Sequence, residues 1–296
     1  MPIDPRGLRA RARVLHAVRT WFHDHGYLEI PTPALVASAG METHLHPLSA
    51  ADGLLRTSPE FALKRVVAAG LPRIYEIGPC FRDRERGGWH GREFTMLEWY
   101  RAGAELSDLM DEVKGLVAAA AAALDVPTPD PWRRIDVRAL VREVTGIDLA
   151  TVDAEALGGV NEGWDDAFFR LWVSRVEPTL TDPVFVDEWP ASQAALARIV
   201  DRPGWPVAGR FEVFLGGVEL ANAFFELGDA TEQRRRFASS NAERMVMGEQ
   251  PHPVDEAFVE AVGRLPRCAG IALGIDRLVA ALCGWQAITP GRVETT

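Results

Sequence analysis

Residues 81–100 read FRDRERGGWHGREFTMLEWY, and the fold turns on how that stretch is read. An apolar run ends at Phe81, a charged loop carries Gly87-Gly88, and a second strand returns from Glu93. Alternation puts Phe94, Met96, Glu98 and Tyr100 on one face of the returning strand, and Thr95, Leu97 and Trp99 on the other. The second face suits packing. The first sets an aromatic ring, a carboxylate and a phenol in a row beside Arg82 and His90, which suits an aromatic base, phosphates and a cationic group. An amphipathic hairpin whose charged face meets water fits the same residues, so the stretch alone leaves both readings open.

The chain around it has 296 residues, 47% of them hydrophobic, enough for one large domain or two ordinary ones with a sizeable core. Its 32 basic and 42 acidic side chains give a net charge of −10, without the basic footprint of a protein that grips a long polyanion. Cys80, Cys268 and Cys283 form no CxxC pair, which argues against a disulfide framework or a zinc site. No segment is apolar for the length of a membrane span, and the start MPIDPRGLRARARV lacks a signal peptide's apolar core. The expectation is a soluble cytoplasmic protein.

Outward from the hairpin, residues 6–25 read as a helix stopped by Gly26, with Arg9, Arg11, Arg13 and Arg19 as a solvated face. Pro31 and Pro33 fix an extended segment around Thr32. His44 and His46 alternate as in a strand but have no acidic or cysteine cluster nearby. TSPEFALKRVVAAG predicts a helix with Ser58 as N-cap, Pro59 at its first position and Gly70 beyond its end. Residues 105–124 read as a helix. Residues 132–205 hold helices, one apolar strand at PVFVDEW and several core tryptophans.

In RFEVFLGGVELANAFFEL, Gly216-Gly217 predicts a hairpin that pairs Phe214 with Glu219 and puts Glu212 and Glu219 on one face. Two such carboxylates repel unless a cation or a proton lies between them. Strict alternation places Asn222 and Glu226 on the opposite face. Residues 229–247 and 253–263 read as helices. GIDR then sets Arg277 in the first turn of a helix, an unfavourable place for a cation unless an anion joins it.

FRDRE, His90 and EFTMLEWY resemble the second signature of class II aminoacyl-tRNA synthetases, in the lysyl-tRNA synthetase version. HGYLEIPTPAL resembles the first signature, E-x6-E-x2-N-x3-E the segment before the third, and GIDR the third itself. The signatures occur in the family's order and span residues 26–277. The implied fold is α+β, an antiparallel sheet flanked by helices, in a homodimer. The implied chemistry is activation of an amino acid by ATP with Mg2+.

The resemblance assigns Arg82 and Arg277 as the catalytic arginines, on the α- and γ-phosphates. Phe94 would stack on adenine with Arg277 on its other face, and His90 and Gly91 would lie near the β/γ-phosphates. Backbone at Arg82, Asp83, Arg84, Leu220 and Gly274 would frame the nucleotide, and Glu212 and Glu219 would hold Mg2+. Glu98, Tyr100 and Glu226 would take a lysine side-chain ammonium; Glu60 would take the amino group beside the carboxylate, and Asn222 the carboxylate. If Glu219 and Asn222 share that cavity, a β-bulge or kink must lie between them.

Two departures refine the expectation. The family's FRxE reads FRDR here, with Arg84 in the glutamate's place and Glu85 next to it. The first signature begins at Gly26, so a single domain over 1–296 is expected, with no anticodon-binding OB-fold. That fits the stand-alone paralogues that aminoacylate a lysine of elongation factor P, with tRNA disfavoured as acceptor. The resemblance also assigns Ser58, Pro59 and Ala272 to the amino-acid site, with the Ala272 methyl beside the amino-acid backbone and the Ser58 hydroxyl as an added donor. Ser58 and Ala272 match those paralogues and favour (R)-β-lysine over α-lysine, although capping alone also explains Ser58. The rivals are another amino-acid-activating paralogue and a catalytically inactive regulatory relative. An aspartate enzyme would need a basic pocket, and retained arginines and carboxylates argue against an inactive protein.

Overall fold

The computed structural model describes residues 4–159 and 162–293. The ends of the expected domain span, and residues 160 and 161 of the 132–205 stretch, lie outside them. The core of the fold is one eight-stranded sheet. Its strands are β1 (Leu28–Glu29), β2 (Arg73–Phe81), β3 (Glu93–Ala102), β4 (Arg133–Asp136), β5 (Val184–Asp187), β6 (Arg210–Leu215), β7 (Val218–Phe225) and β8 (Cys268–Gly274). Their order is β1-β2-β3-β8-β7-β6-β5-β4. The six central strands pair antiparallel, and β1 and β4 close the edges in parallel. The architecture is α+β, as the resemblance implies.

The helices are α1 (Pro5–Asp24), α2 (Glu60–Ala68), α3 (Leu106–Leu124), α4 (Val137–Thr145), α5 (Trp164–Leu171), α6 (Ala230–Val246), α7 (Glu256–Val262) and α8 (Ile275–Leu282). α1 and α3 bury Val18, Phe22, Val113 and Leu116 against Leu97, Trp99 and Ile271 on one sheet face. Alternation had given Leu97 and Trp99 to that packing face, and burial of such aromatic and aliphatic side chains contributes ~1.5–3 kcal/mol each. Trp172, Trp189 and Phe168 centre a second cluster beneath β4 and β5. No described helix is long and apolar enough to cross a membrane.

Register decides what the other face carries. Glu76, Glu98, Ala272, Asn222 and Glu212 lie in one row across five strands. The neighbouring row holds Ile74, Tyr100, Gly270, Phe224 and Arg210. Between β6 and β7 the pairing steps from Phe214–Glu219 to Val213–Ala221, leaving Leu220 as the extra residue of a β-bulge. The bulge turns Glu219 onto the face of Asn222, which strict alternation forbids.

The α1 arginines are not all solvated. Arg11 reaches inward to Asp276 at 2.5 Å and to Thr95 Oγ1 at 2.6 Å, because α1 crosses the start of α8. Asp276 also accepts from the Thr95 backbone at 2.8 Å. This ties α8 to β3 and fixes the neighbouring Arg277.

Candidate active site

Glu98, Ala272 and Asn222 of the first row and Tyr100, Gly270 and Phe224 of the second line a cavity of about 330 Å3, together with the loop 38–45, the start of α2 and the β2–β3 loop. One end is basic and aromatic. Arg82 donates from Nε to Thr57 O at 3.3 Å, and its guanidinium lies 5.2 Å from the centre of the Phe94 ring. Arg277 donates to Glu219 O at 2.9 Å, Glu219 Oε2 at 3.2 Å and Trp89 O at 3.2 Å. Its Nη2 lies 2.9 Å from His90 Nε2. Burial and the Arg277 charge hold His90 below the ordinary histidine range, so the ring is neutral and accepts at Nε2. The anion that the helix-start position of Arg277 calls for is Glu219.

The other end is acidic and deep. Ser58 Oγ donates to Glu98, and Tyr100 donates to the same carboxylate at 3.2 Å. Ser58 Oγ also accepts from Glu60 N at 3.0 Å, so it caps α2 and faces the cavity together. The regular helix starts at Glu60, one residue later than expected, with Pro59 as its cap residue. Burial and the nearby Glu60 push Glu98 up to about 8. Gly270 is indispensable here: a Cβ on it would lie 2.2 Å from the Tyr100 ring and 2.6 Å from Glu226 Oε1.

Sequence reasoning missed the cation that holds this end together. Lys64, with a side chain only 3% exposed, puts its ammonium 2.5 Å from Glu226 Oε2 and also on Glu60. Burial works against its charge, but Glu226 and Glu60 outweigh that and keep it protonated. Glu226 is pushed up to about 7 by burial, with Lys64 pulling it down and Glu60 pushing it further up. Helical spacing from Glu60 was the available signal, since i and i+4 share a face.

Among the expected site residues, Ser58, Pro59, Glu60, Arg82, His90, Gly91, Phe94, Glu98, Tyr100, Glu219, Leu220, Asn222, Glu226, Ala272, Gly274 and Arg277 all line this one cavity. Asp83 and Arg84 do not. Asp83 pairs with Arg92 at 3.0 Å, and Arg84, 60% exposed, pairs with Glu249 at 2.8 Å. Arg84 has φ 66°, a left-handed kink that sends its side chain out and brings Glu85 to the cavity wall.

Glu212 lies outside the lining, below Asn222, and is paired to Arg210. Arg210 also donates to Asn222 Oδ1 at 3.0 Å, which leaves the amide nitrogen of Asn222 turned from that bond. Burial pushes Glu212 up to about 8; Arg210 opposes the shift and Glu219 adds to it. Two repelling oxygen donors suit a hard cation. No group of three or more His, Cys, Asp or Glu side chains that could hold a metal gathers among the described residues. Of the two, Glu219 lines the cavity and pairs with Arg277, while Glu212 stays paired to Arg210 outside it.

Known proteins are similar to this chain in sequence. The chain is 39% identical to the elongation factor P--(R)-beta-lysine ligase of Proteus mirabilis, over 95% of this chain and 92% of the relative. The ligases of the same name from Photorhabdus laumondii and Vibrio cholerae are each 38% identical, over 95% and 94% of this chain and 92% and 91% of theirs. The family description "tRNA synthetases class II (D, K and N)" matches residues 5–290. The chain belongs to that family of class II tRNA synthetases.

Proposed function

We propose that this protein is an ATP-dependent ligase that activates (R)-β-lysine and transfers it to a lysine side chain of elongation factor P. One observation carries the reading: a single cavity joins an arginine- and aromatic-lined mouth to a buried acidic end. That is the space a nucleotide and a dicationic amino acid need side by side. The names of the relatives point the same way.

In the first step the amino-acid carboxylate attacks the α-phosphorus, the α–β phosphoanhydride bond breaks and pyrophosphate leaves. Arg82 neutralises the charge that grows on the α-phosphate, and Arg277 leaves Glu219 to meet the γ-phosphate. Phe94 stacks on the adenine. Glu212 and Glu219 would hold Mg2+, which supplies charge neutralisation on the phosphates. No general base is required, because the nucleophile is already a carboxylate; alignment carries the rate. In the second step a neutral lysine amine of the acceptor attacks the adenylate carbonyl, an amide forms, AMP leaves and the amine gives up a proton.

We further propose that the chain acts in the cytoplasm as a homodimer of single catalytic domains and does not charge tRNA. Leu28, half exposed on the edge strand β1, supports the dimer. The net charge of −10 argues against a long phosphate backbone as partner. ATP–pyrophosphate exchange with a panel of amino acids tests the first step. Exchange driven by (R)-β-lysine and, more weakly, α-lysine is the expected result. Exchange driven by aspartate or asparagine instead would overturn the assignment.

A further inference from the structure

The carboxylates assigned to the amino acid are not equally free. Glu98 accepts from Ser58 and Tyr100, while Glu60 and Glu226 share the buried Lys64 ammonium. A fourth carboxylate, Glu42, lines the same cavity, and no described side chain or backbone group hydrogen-bonds or ion-pairs with it. Burial and Glu60 push its carboxyl above the ordinary range, and Arg82 pulls it back. Glu42 shares the cavity wall with Glu60 of the acidic end and with Arg82 of the phosphate end.

The loop around Glu42 is pinned from several sides. Thr57 Oγ1 donates to Ala39 O ahead of it. Arg244 of α6, itself buried, donates to Thr43 O at 2.7 Å and Leu45 O at 3.3 Å. Thr43 Oγ1 donates to Glu243 at 2.9 Å, and Asp83 N donates to His46 O at 2.6 Å. The loop is thus fixed with Glu42 on the cavity wall, and an unpaired carboxylate there is favoured when a cation joins it.

We infer that Glu42 receives the second ammonium of the diamino acid, the one nearer the reacting carboxylate, while the far ammonium goes to the Glu98 and Glu226 end. This assignment rests on the diamino-acid reading above. It divides the labour: Lys64 neutralises part of the inner charge, and Glu42 supplies the uncommitted charge where the amine and carboxylate of the substrate approach Arg82. It makes Glu42 a specificity-determining residue for substrates with an amino group on C2 or C3.

The test uses Glu42→Gln and Glu42→Asp in the full chain, with pyrophosphate exchange as readout. 6-Aminohexanoate serves as competitor, since it has the far ammonium and the carboxylate but no second amine. Glu42→Gln should raise KM for (R)-β-lysine about thirtyfold, the range for losing one charged hydrogen bond. KM for ATP and the inhibition constant of 6-aminohexanoate should stay within about twofold, and Glu42→Asp should recover part of the loss. Equal weakening of 6-aminohexanoate and (R)-β-lysine would overturn the inference in favour of a structural role, as would an unchanged KM for (R)-β-lysine. Wild-type protein that shows no diamino-acid-dependent exchange would overturn the parent reading itself.

Discussion

The two ends of the cavity manage charge in opposite ways. At the phosphate end Arg82 and Arg277 rest on backbone carbonyls and on Glu219, close to solvent. At the amino-acid end Glu60 and Glu226 rest on the buried Lys64, and Glu98 rests on a hydroxyl and a phenol. Arginine keeps its charge at every accessible pH, whereas buried carboxyls exchange charge for protons. The mouth is thus permanently set for ATP, and the inner end is set for a cation only when its carboxyls ionise.

The sharpest break comes from deleting a permanent charge. Arg82→Ala should lower kcat for pyrophosphate exchange by about 10²–10³, the cost of removing one preorganised donor to developing charge. Steady-state exchange at saturating ATP checks it, and a loss confined to KM would place Arg82 in ground-state binding only.

The next effect concerns the inner end and stability. Lys64→Met leaves Glu60 and Glu226 without their cation, and breaking a buried pair costs ~3–5 kcal/mol. The cost should be largest at alkaline pH and shrink towards pH 5, where the stranded carboxyls take up protons. Urea melts at pH 5.5 and 8.5 measure this, and a pH-independent loss would mean Lys64 contributes packing alone.

A smaller effect separates the ends by pH. Glu98 at about 8 and Glu226 at about 7 are raised above their ordinary value. Carboxyls with raised values hold more protons in the folded chain than unfolded, so the protein without added substrate should lose stability as pH climbs from about 4.5 to about 8. A dicationic substrate needs the ionised forms. Its KM should fall about tenfold between pH 6.5 and 8, with proton release visible as a buffer-dependent binding enthalpy. Kd for ATP, measured without the diamino acid, should hardly move.

The smallest effect belongs to Arg84. Its side chain points to solvent and Glu249, so Arg84→Ala should change KM for ATP by less than about twofold. A tenfold loss would show that the loop rearranges and draws Arg84 to the nucleotide.

Much of this was legible in the chain. Alternation alone separated Trp99 and Leu97 from Glu98 and Tyr100, and the conflict between Glu219 and Asn222 foretold the bulge at Leu220. What stayed hidden depends on contacts between distant segments. Arg11 reads as a solvated helix cation until α1 is laid against the sheet, and the partners of Lys64 emerge only when α2 meets the end of β7. Glu42 sits on an irregular loop with no periodicity to assign its direction. The turn of Arg84 away from the cavity follows from one positive φ, which a non-glycine residue does not announce.

The most direct test of the whole account joins both ends in one reaction. The protein would be incubated with ATP, Mg2+ and (R)-β-lysine, with unmodified elongation factor P in one arm and lysine tRNA in the other. Intact-mass analysis of the protein arm and acid-gel analysis of the tRNA arm read the outcome. The account predicts that elongation factor P gains the mass of one lysyl group while the tRNA stays uncharged. Charged tRNA beside unmodified elongation factor P would contradict it.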